Sequence, residues 1–161
     1  MPRNIAFSTF VSVGCAECRN LEGLGFDFIM AFQPIVNVRT RTTFAYEALV
    51  RGVNGESAAS ILDQVNDDNR YRFDQACRVK AIERATELGL LGIPDCKLSI
   101  NFLPNAVYRP ETCIRATLEA ARLFGFPPER LMFEVTEGER VDDPMHLKGI
   151  FEEYKRQGFT T

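Results

Sequence analysis

The feature of this sequence that most restricts its fold is an alternation between short apolar strands and longer helices. Strands are predicted at residues 98–102 and 131–136, and helices follow them from Pro110 and from Asp143-Pro144. Helices of this length between short strands are typical of βα units, whose neighbouring strands pair in parallel. The sequence therefore predicts an α/β fold with a largely parallel sheet.

Helical spacing predicts two more helices before the strand at 98–102. Ser57 is a suitable N-cap for the first, which carries Ile61, Leu62 and Val65. The second is expected to stop at Gly89, and its apolar face is formed by five residues: Phe73, Cys77, Ala81, Ala85 and Leu88. In the later helices the apolar positions are Ile114, Leu118, Ala121 and Phe124, and then Leu147, Ile150, Phe151 and Tyr154. Residues 158–161 resemble the first residues of a further strand.

Composition narrows the class of protein. A chain of 161 residues with 45% hydrophobic and 25% charged residues fits one ordinary globular domain. The formal charge of -3 provides no basic surface for DNA, RNA or an anionic membrane. We find no apolar run of membrane-spanning length and no secretory signal, so the expected compartment is the cytoplasm.

The five cysteines show no spacing typical of a disulfide framework. Cys77 and Cys113 fall on apolar helix faces, where a free cysteine acts as a small hydrophobic residue. Cys15 and Cys18 form a lone Cys-x-x-Cys, whereas a structural zinc site needs four ligands. Metal or redox use of this pair is the less favoured alternative. The single histidine, His146, is expected at a helix surface.

Two strands are predicted to open the folded region, at residues 32–36 and 46–52, joined by a polar turn. Alternate side chains of a strand share one face, so Glu47, Leu49 and Arg51 should project together. A carboxylate can hold a hard cation, and a guanidinium can clamp phosphate oxygens. The alternative is an ion pair between Glu47 and Arg51 on an exposed face.

Polar residues also stand at the ends of two later strands. Functional groups in parallel α/β folds collect where strands end, and Asn101 and Glu134 occupy such positions. Together with Glu47 they offer the oxygen ligands that Mg²⁺, Mn²⁺ or Ca²⁺ prefer. The alternatives are a turn hydrogen bond for Asn101 and a solvated loop end for Glu134.

Four segments carry a family resemblance: Gln-Pro-Ile-Val from Gln33, Tyr-Glu-Ala-Leu-Val-Arg-Gly from Tyr46, Leu-Ser-Ile-Asn-Phe-Leu-Pro from Leu98, and Phe-Glu-Val-Thr-Glu from Phe133. They closely resemble the EAL family of bacterial cyclic di-GMP phosphodiesterases. This resemblance implies that residues 27–161 form the N-terminal half of a TIM-like barrel, incomplete and with its first strand antiparallel. Residues 1–26 are expected to be a partly disordered leader, because Gly14, Gly23 and Gly25 are scattered through them.

The resemblance also implies roles for six residues. Matched motif positions suggest Glu47, Asn101 and Glu134 as ligands of Mg²⁺ or Mn²⁺, and Gln33, Leu49 and Arg51 as contacts to the nucleotide. The reaction it implies is metal-dependent hydrolysis of cyclic di-GMP to pGpG.

The family's later motifs, which include an Asp-Asp pair and a catalytic Lys, have no counterpart before Thr161. The catalytic set is therefore incomplete, and we expect the chain alone to be hydrolytically inert or nearly so. A non-catalytic module that binds cyclic di-GMP or another protein is the alternative. An uncovered sheet edge also favours association with a second copy or with a complementary C-terminal half.

Overall fold

The computed structural model describes residues 24–136 and 140–161. Within these ranges the chain forms four strands and five helices, together with short 3₁₀ turns. The strands are β1 (Ile29–Asn37), β2 (Thr42–Arg51), β3 (Lys97–Asn101) and β4 (Leu131–Glu134). The helices are α1 (Ala58–Leu62), α2 (Arg70–Glu87), α3 (Pro110–Cys113), α4 (Arg115–Phe124) and α5 (Pro144–Arg156).

The four strands form one sheet in the order β1-β2-β3-β4. β1 pairs with β2 in antiparallel fashion, while β2 with β3 and β3 with β4 are parallel. After α5, Thr160 forms a parallel bridge to Met132, so the chain begins to extend the sheet beyond β4, as its sequence predicts. Within the described residues the sheet does not close. This arrangement confirms the predicted partial barrel with an antiparallel first strand.

The two faces of the sheet differ in their surroundings. Side chains on one face, including Met30, Ala48, Ile100 and Phe133, are buried in the same core as residues of α2, α4 and α5. Because side chains alternate along a strand, the residues between them point to the opposite face. Gln33, Glu47, Ser99, Asn101 and Glu134 lie on that second face, which is the inner face of the partial barrel.

Several predicted helix ends are confirmed. The Ser57 hydroxyl accepts a hydrogen bond from the Ser60 amide at 3.2 Å and caps α1. The Asp143 carboxylate accepts from the amides of Met145 and His146 at the start of α5. Gly89, just past the end of α2, has a φ of +82°, a conformation that glycine adopts without steric cost.

Two helices differ from the expectation. α1 ends at Leu62, so Val65 lies in the following turn. There the Asn69 side chain accepts from the Asn66 amide and donates to the Gln64 carbonyl, which gives the backbone partners other than helical ones. The helix predicted from Pro110 is divided into α3 and α4 by a one-residue turn at Ile114, whose backbone remains in the right-handed helical region.

Other predictions meet mixed outcomes. Cys77 and Cys113 are buried, as expected. His146 lies on α5 as expected and is partly buried, with its Nε2 2.5 Å from the Val107 carbonyl oxygen. Cys15 and Cys18 lie outside the described residues.

The last residues of the predicted leader contact the domain. The Phe26 ring centroid is 6.1 Å from that of Phe73, and Leu24 packs against the same core. The boundary at residue 27 stays a prediction. In the part of the chain that the structure describes, no helix is both long and apolar enough to cross a membrane.

Candidate functional site

The register of β1 and β2 sets the face on which the predicted nucleotide contacts lie. Arg51 pairs with Ile29, Leu49 with Ala31, and Glu47 with Gln33. Directly opposed residues of an antiparallel pair project on the same side. Gln33, Glu47, Leu49 and Arg51 therefore share the inner face, with Gln33 exposed and the other three partly buried.

The predicted oxygen ligands converge on this face. Asn101 Nδ2 donates a hydrogen bond to Glu47 Oε1 at 2.8 Å, across β2 and β3. Glu134 is the register partner of Asn101 on the next strand, and neighbouring strands lie about 4.8 Å apart. Asn101 and Glu134 are the last residues of their strands, at the carboxyl edge of the parallel part of the sheet. Three neighbouring strands thus each contribute one candidate: Asn101 and Glu134 at this edge, and Glu47 inside β2, where it is the register partner of Ser99.

The alternative interpretation of β2, an ion pair between Glu47 and Arg51, is not what forms. Arg51 Nη1 donates instead to the carbonyl oxygen of Val50 at 2.7 Å. Glu47 accepts from Asn101, and the described ion pairs include none between Glu47 and Arg51. Part of the Arg51 guanidinium is therefore held by backbone while the fork keeps donors for another group.

Ser99 also lies on this face, as its position two residues before Asn101 predicts, but sequence reasoning gave it no functional role. It is the register partner of Glu47, its exposed fraction is 0%, and its Oγ has no hydrogen-bond partner among the described residues. A buried hydroxyl without a partner is costly, so it commonly marks a place where a water or ligand binds. The signal in the sequence was its spacing of two from Asn101, which puts both on one face.

These residues fit a hard divalent cation by donor type. Two carboxylates and an amide offer oxygen atoms, and Asn101 would present its Oδ1 once its amide no longer donates to Glu47. No group of three or more His, Cys, Asp or Glu gathers as a metal site within residues 24–136 and 140–161. The set therefore contains fewer charged ligands than a self-sufficient site, and the nitrogen and sulfur ligands typical of zinc are not part of it.

A buried charge pair behind the site was also missed. Asp74 and Arg78 lie one turn apart on α2, with side chains that are 1% and 0% exposed. Burial raises the pKa of Asp74 above its ordinary value, although Arg78 opposes that change. The sequence signal was an i, i+4 Asp-Arg pair, but this pattern is more typical of a solvated helix surface. Here α2 is buried on several sides, which turns a surface pattern into an internal one.

An open α/β sheet with an antiparallel first strand and oxygen ligands at its carboxyl edge defines a barrel-type domain with a candidate divalent-metal site. The family model described as the EAL domain matches residues 22–161. The chain therefore belongs to the EAL domain family, and the predicted resemblance is confirmed.

Solved structures support the same assignment. A standalone versatile EAL protein from Vibrio cholerae, in its c-di-GMP bound form, is 64% identical with a TM-score of 0.78, over 85% of this chain and 56% of that one. Klebsiella pneumoniae BlrP1, in a manganese and cyclic di-GMP complex, is 25% identical with a TM-score of 0.71, over 82% of this chain and 33% of that one.

A curated relative gives a similar result. The blue light- and temperature-regulated antirepressor BluF of Escherichia coli is 30% identical over 69% of this chain and 27% of BluF. The chain thus spans about half the length of the Vibrio protein and roughly a third or less of the other two.

Proposed function

We propose that this chain binds cyclic di-GMP with a divalent cation and supplies one side of a site that hydrolyses cyclic di-GMP to pGpG. The observation that carries the proposal is the contact between Glu47 and Asn101 at 2.8 Å, with Glu134 beside Asn101 on the next strand. Family membership and the ligand-bound Vibrio cholerae relative support it.

Each residue has a proposed task. Glu47, Asn101 and Glu134 would hold Mg²⁺ or Mn²⁺ through oxygen atoms. When bound, such a cation activates water and neutralises charge on phosphoryl oxygens. Arg51 would bind a phosphate oxygen through its remaining N–H donors. Leu49 would pack against a base, and Gln33, which is exposed on β1, would hydrogen-bond to a base edge.

The first experiment is calorimetry with cyclic di-GMP, with and without Mn²⁺ or Ca²⁺. We expect binding by the parent chain that is tighter with the cation and is weakened by Glu47→Gln. We expect Arg51→Lys to weaken nucleotide binding, because lysine keeps the charge and loses the planar fork. Glu152→Gln is the matched control, since Glu152 is exposed on α5 and far in sequence from the site. A parent chain that binds neither cation nor nucleotide would contradict the proposal.

A second experiment separates an enzyme from a binding module. Conversion of cyclic di-GMP to pGpG is measured with the chain alone and with the chain fused to the remaining part of the Vibrio cholerae relative. Metal-dependent conversion by the fusion, abolished by Glu47→Gln, supports the hydrolytic role. Binding without conversion in either protein favours the alternative, a non-catalytic nucleotide-binding module. Sedimentation of the chain alone tests the expected self-association, which stays a prediction.

A further inference from the structure

A network of buried polar groups lies directly behind the carboxyl edge of the sheet. Asp74 Oδ2 is 2.9 Å from Arg78 Nε and 2.8 Å from Arg78 Nη2. Taking two charges out of water is expensive, and the mutual attraction repays this only when other hydrogen bonds complete the arrangement. The other hydrogen bonds of Asp74 and Arg78 therefore identify the parts of the fold that this network connects.

Those partners come from two other parts of the fold. Asp74 Oδ1 accepts a hydrogen bond from the Leu103 amide at 2.9 Å, two residues beyond Asn101. Arg78 Nη1 donates to the Tyr154 hydroxyl on α5 at 2.7 Å. The network thus ties α2 to the loop that follows β3 and to the helix that follows β4.

The Arg78 guanidinium also packs against both strand ends. Its central carbon lies 5.6 Å from the ring centroid of Phe102 and 5.1 Å from that of Phe133. Phe102 directly follows Asn101, and Phe133 directly precedes Glu134. Adjacent side chains of an extended chain point to opposite faces. Arg78 therefore packs on the core face of the same two segments whose opposite face carries Asn101 and Glu134.

The arrangement keeps Arg78 charged. Although burial disfavours the cation, Asp74 and Tyr154 raise the pKa of Arg78 above its ordinary value. A further backbone hydrogen bond, from the Phe102 amide to the Glu134 carbonyl at 3.0 Å, connects the two strand ends to each other. A displacement of the end of β3 would therefore also displace the end of β4, and the reverse.

We propose that Asp74, Arg78 and Tyr154 are positioning residues for the cation site, which fix the loop after β3 and the end of β4 so that Asn101 and Glu134 face Glu47. This inference rests on the proposed function for the role of the cation. Its structural part concerns the chain without any ligand and can be tested separately.

The main variant is Tyr154→Phe, which removes one hydroxyl and keeps the ring. Two measurements are made without metal: hydrogen exchange of the Leu103 amide and the NMR signal of the Asn101 side-chain amide. A third measures the Kd for Mn²⁺. We expect faster exchange at Leu103, a shifted Asn101 signal and an affinity for Mn²⁺ weakened about tenfold, the range seen when groups that orient metal ligands are removed.

Two other variants make the test specific. Ile82→Val is the control, because Ile82 is fully buried on α2, the helix that carries Asp74 and Arg78, and has no polar side-chain atom. Ile82→Val should lower the free energy of unfolding. It should not change the Asn101 signal, the Mn²⁺ affinity, or the ratio of the Leu103 exchange rate to the rates of neighbouring amides. Asp74→Asn keeps an acceptor for the Leu103 amide, so it should retain more Leu103 protection than Asp74→Ala, if both fold.

The outcomes separate this inference from the proposed function. If the parent chain binds no Mn²⁺, the proposed function fails, and the two ligand-free measurements still decide the structural part. If Tyr154→Phe leaves Leu103 exchange, the Asn101 signal and any Mn²⁺ affinity at parent values, the positioning role is refuted. Equal effects of Tyr154→Phe and Ile82→Val would also refute it, because the change would then be a general loss of stability.

Discussion

Replacing Arg130 should lower the stability of the sheet at the amino ends of β3 and β4, the end opposite to the candidate site. This residue immediately precedes β4, and its guanidinium donates to four carbonyl oxygens: Cys96 at 2.7 Å, Ile93 at 2.9 Å, Leu90 at 3.0 Å and Leu91 at 3.2 Å. These carbonyls belong to the segment between α2 and β3. One side chain therefore connects the entry of β4 to the entry of its neighbour.

The size of the effect follows from those bonds. A hydrogen bond from a charged donor contributes about 1.5–3 kcal/mol. Because one partly exposed guanidinium serves all four acceptors, the sum is smaller than four independent bonds. We expect Arg130→Met, which keeps the apolar stem, to lower the free energy of unfolding by about 3 kcal/mol. Arg130→Lys should cost roughly half as much, since an ammonium group cannot reproduce the planar fork.

The measurement is urea denaturation followed by far-UV circular dichroism, with the slope m compared between variants. Arg122→Met is the matched control, because Arg122 is 71% exposed and forms a surface pair with Glu119. An exposed pair of this kind contributes about 0–1 kcal/mol. If Arg130→Met and Arg122→Met lower stability by the same amount, the proposed clamp has no energetic role. A changed m would instead indicate an altered native or denatured state.

Two other predictions follow from single residues. Burial raises the pKa of Tyr154 to about 12 from an ordinary value of 10, although Arg78 opposes the shift. The buried neutral Tyr154 therefore contributes about 3 kcal/mol to the free energy of unfolding below pH 10. This contribution is lost as the pH rises from 10 through 12. Urea titrations at pH 9 and pH 11 should show a smaller alkaline loss in Tyr154→Phe than in the parent chain, and equal losses would contradict this. Asp143→Ala removes the acceptor for two amides at the start of α5 and should cost about 1 kcal/mol. Asp143→Asn should restore most of it, and a thermal melt that does not distinguish the two would refute the capping role.

The sequence was sufficient for the order and type of most elements. Strong local signals, such as Ser57, Gly89 and Asp143-Pro144, act within a few residues and survive in the folded protein. Where the prediction differed, side-chain contacts outweighed local propensity. The side-chain amide of Asn69 donates a hydrogen bond to the Gln64 carbonyl, and α1 ends at Leu62. The helical spacing of apolar residues does not predict this contact.

The site was predicted in part. Alternation along β2 fixed the shared face of Glu47, Leu49 and Arg51, because the period of a strand is a property of the chain itself. That Asn101 and Glu134 come from neighbouring strands followed from parallel pairing. Their roles towards a cation and a nucleotide remain proposals.

What this sequence determined alone was the alternation of elements, the faces of its strands and the family motifs. Only the tertiary structure decided which partners lie across those elements: the 2.8 Å contact between Asn101 and Glu47, and the burial of Asp74 and Arg78 beneath the strand ends. The physical reason is that burial and charge pairing depend on residues distant along the chain. An Asp-Arg pair one turn apart has the same letters on a wet surface and in a core, and only the packing around it decides which it becomes.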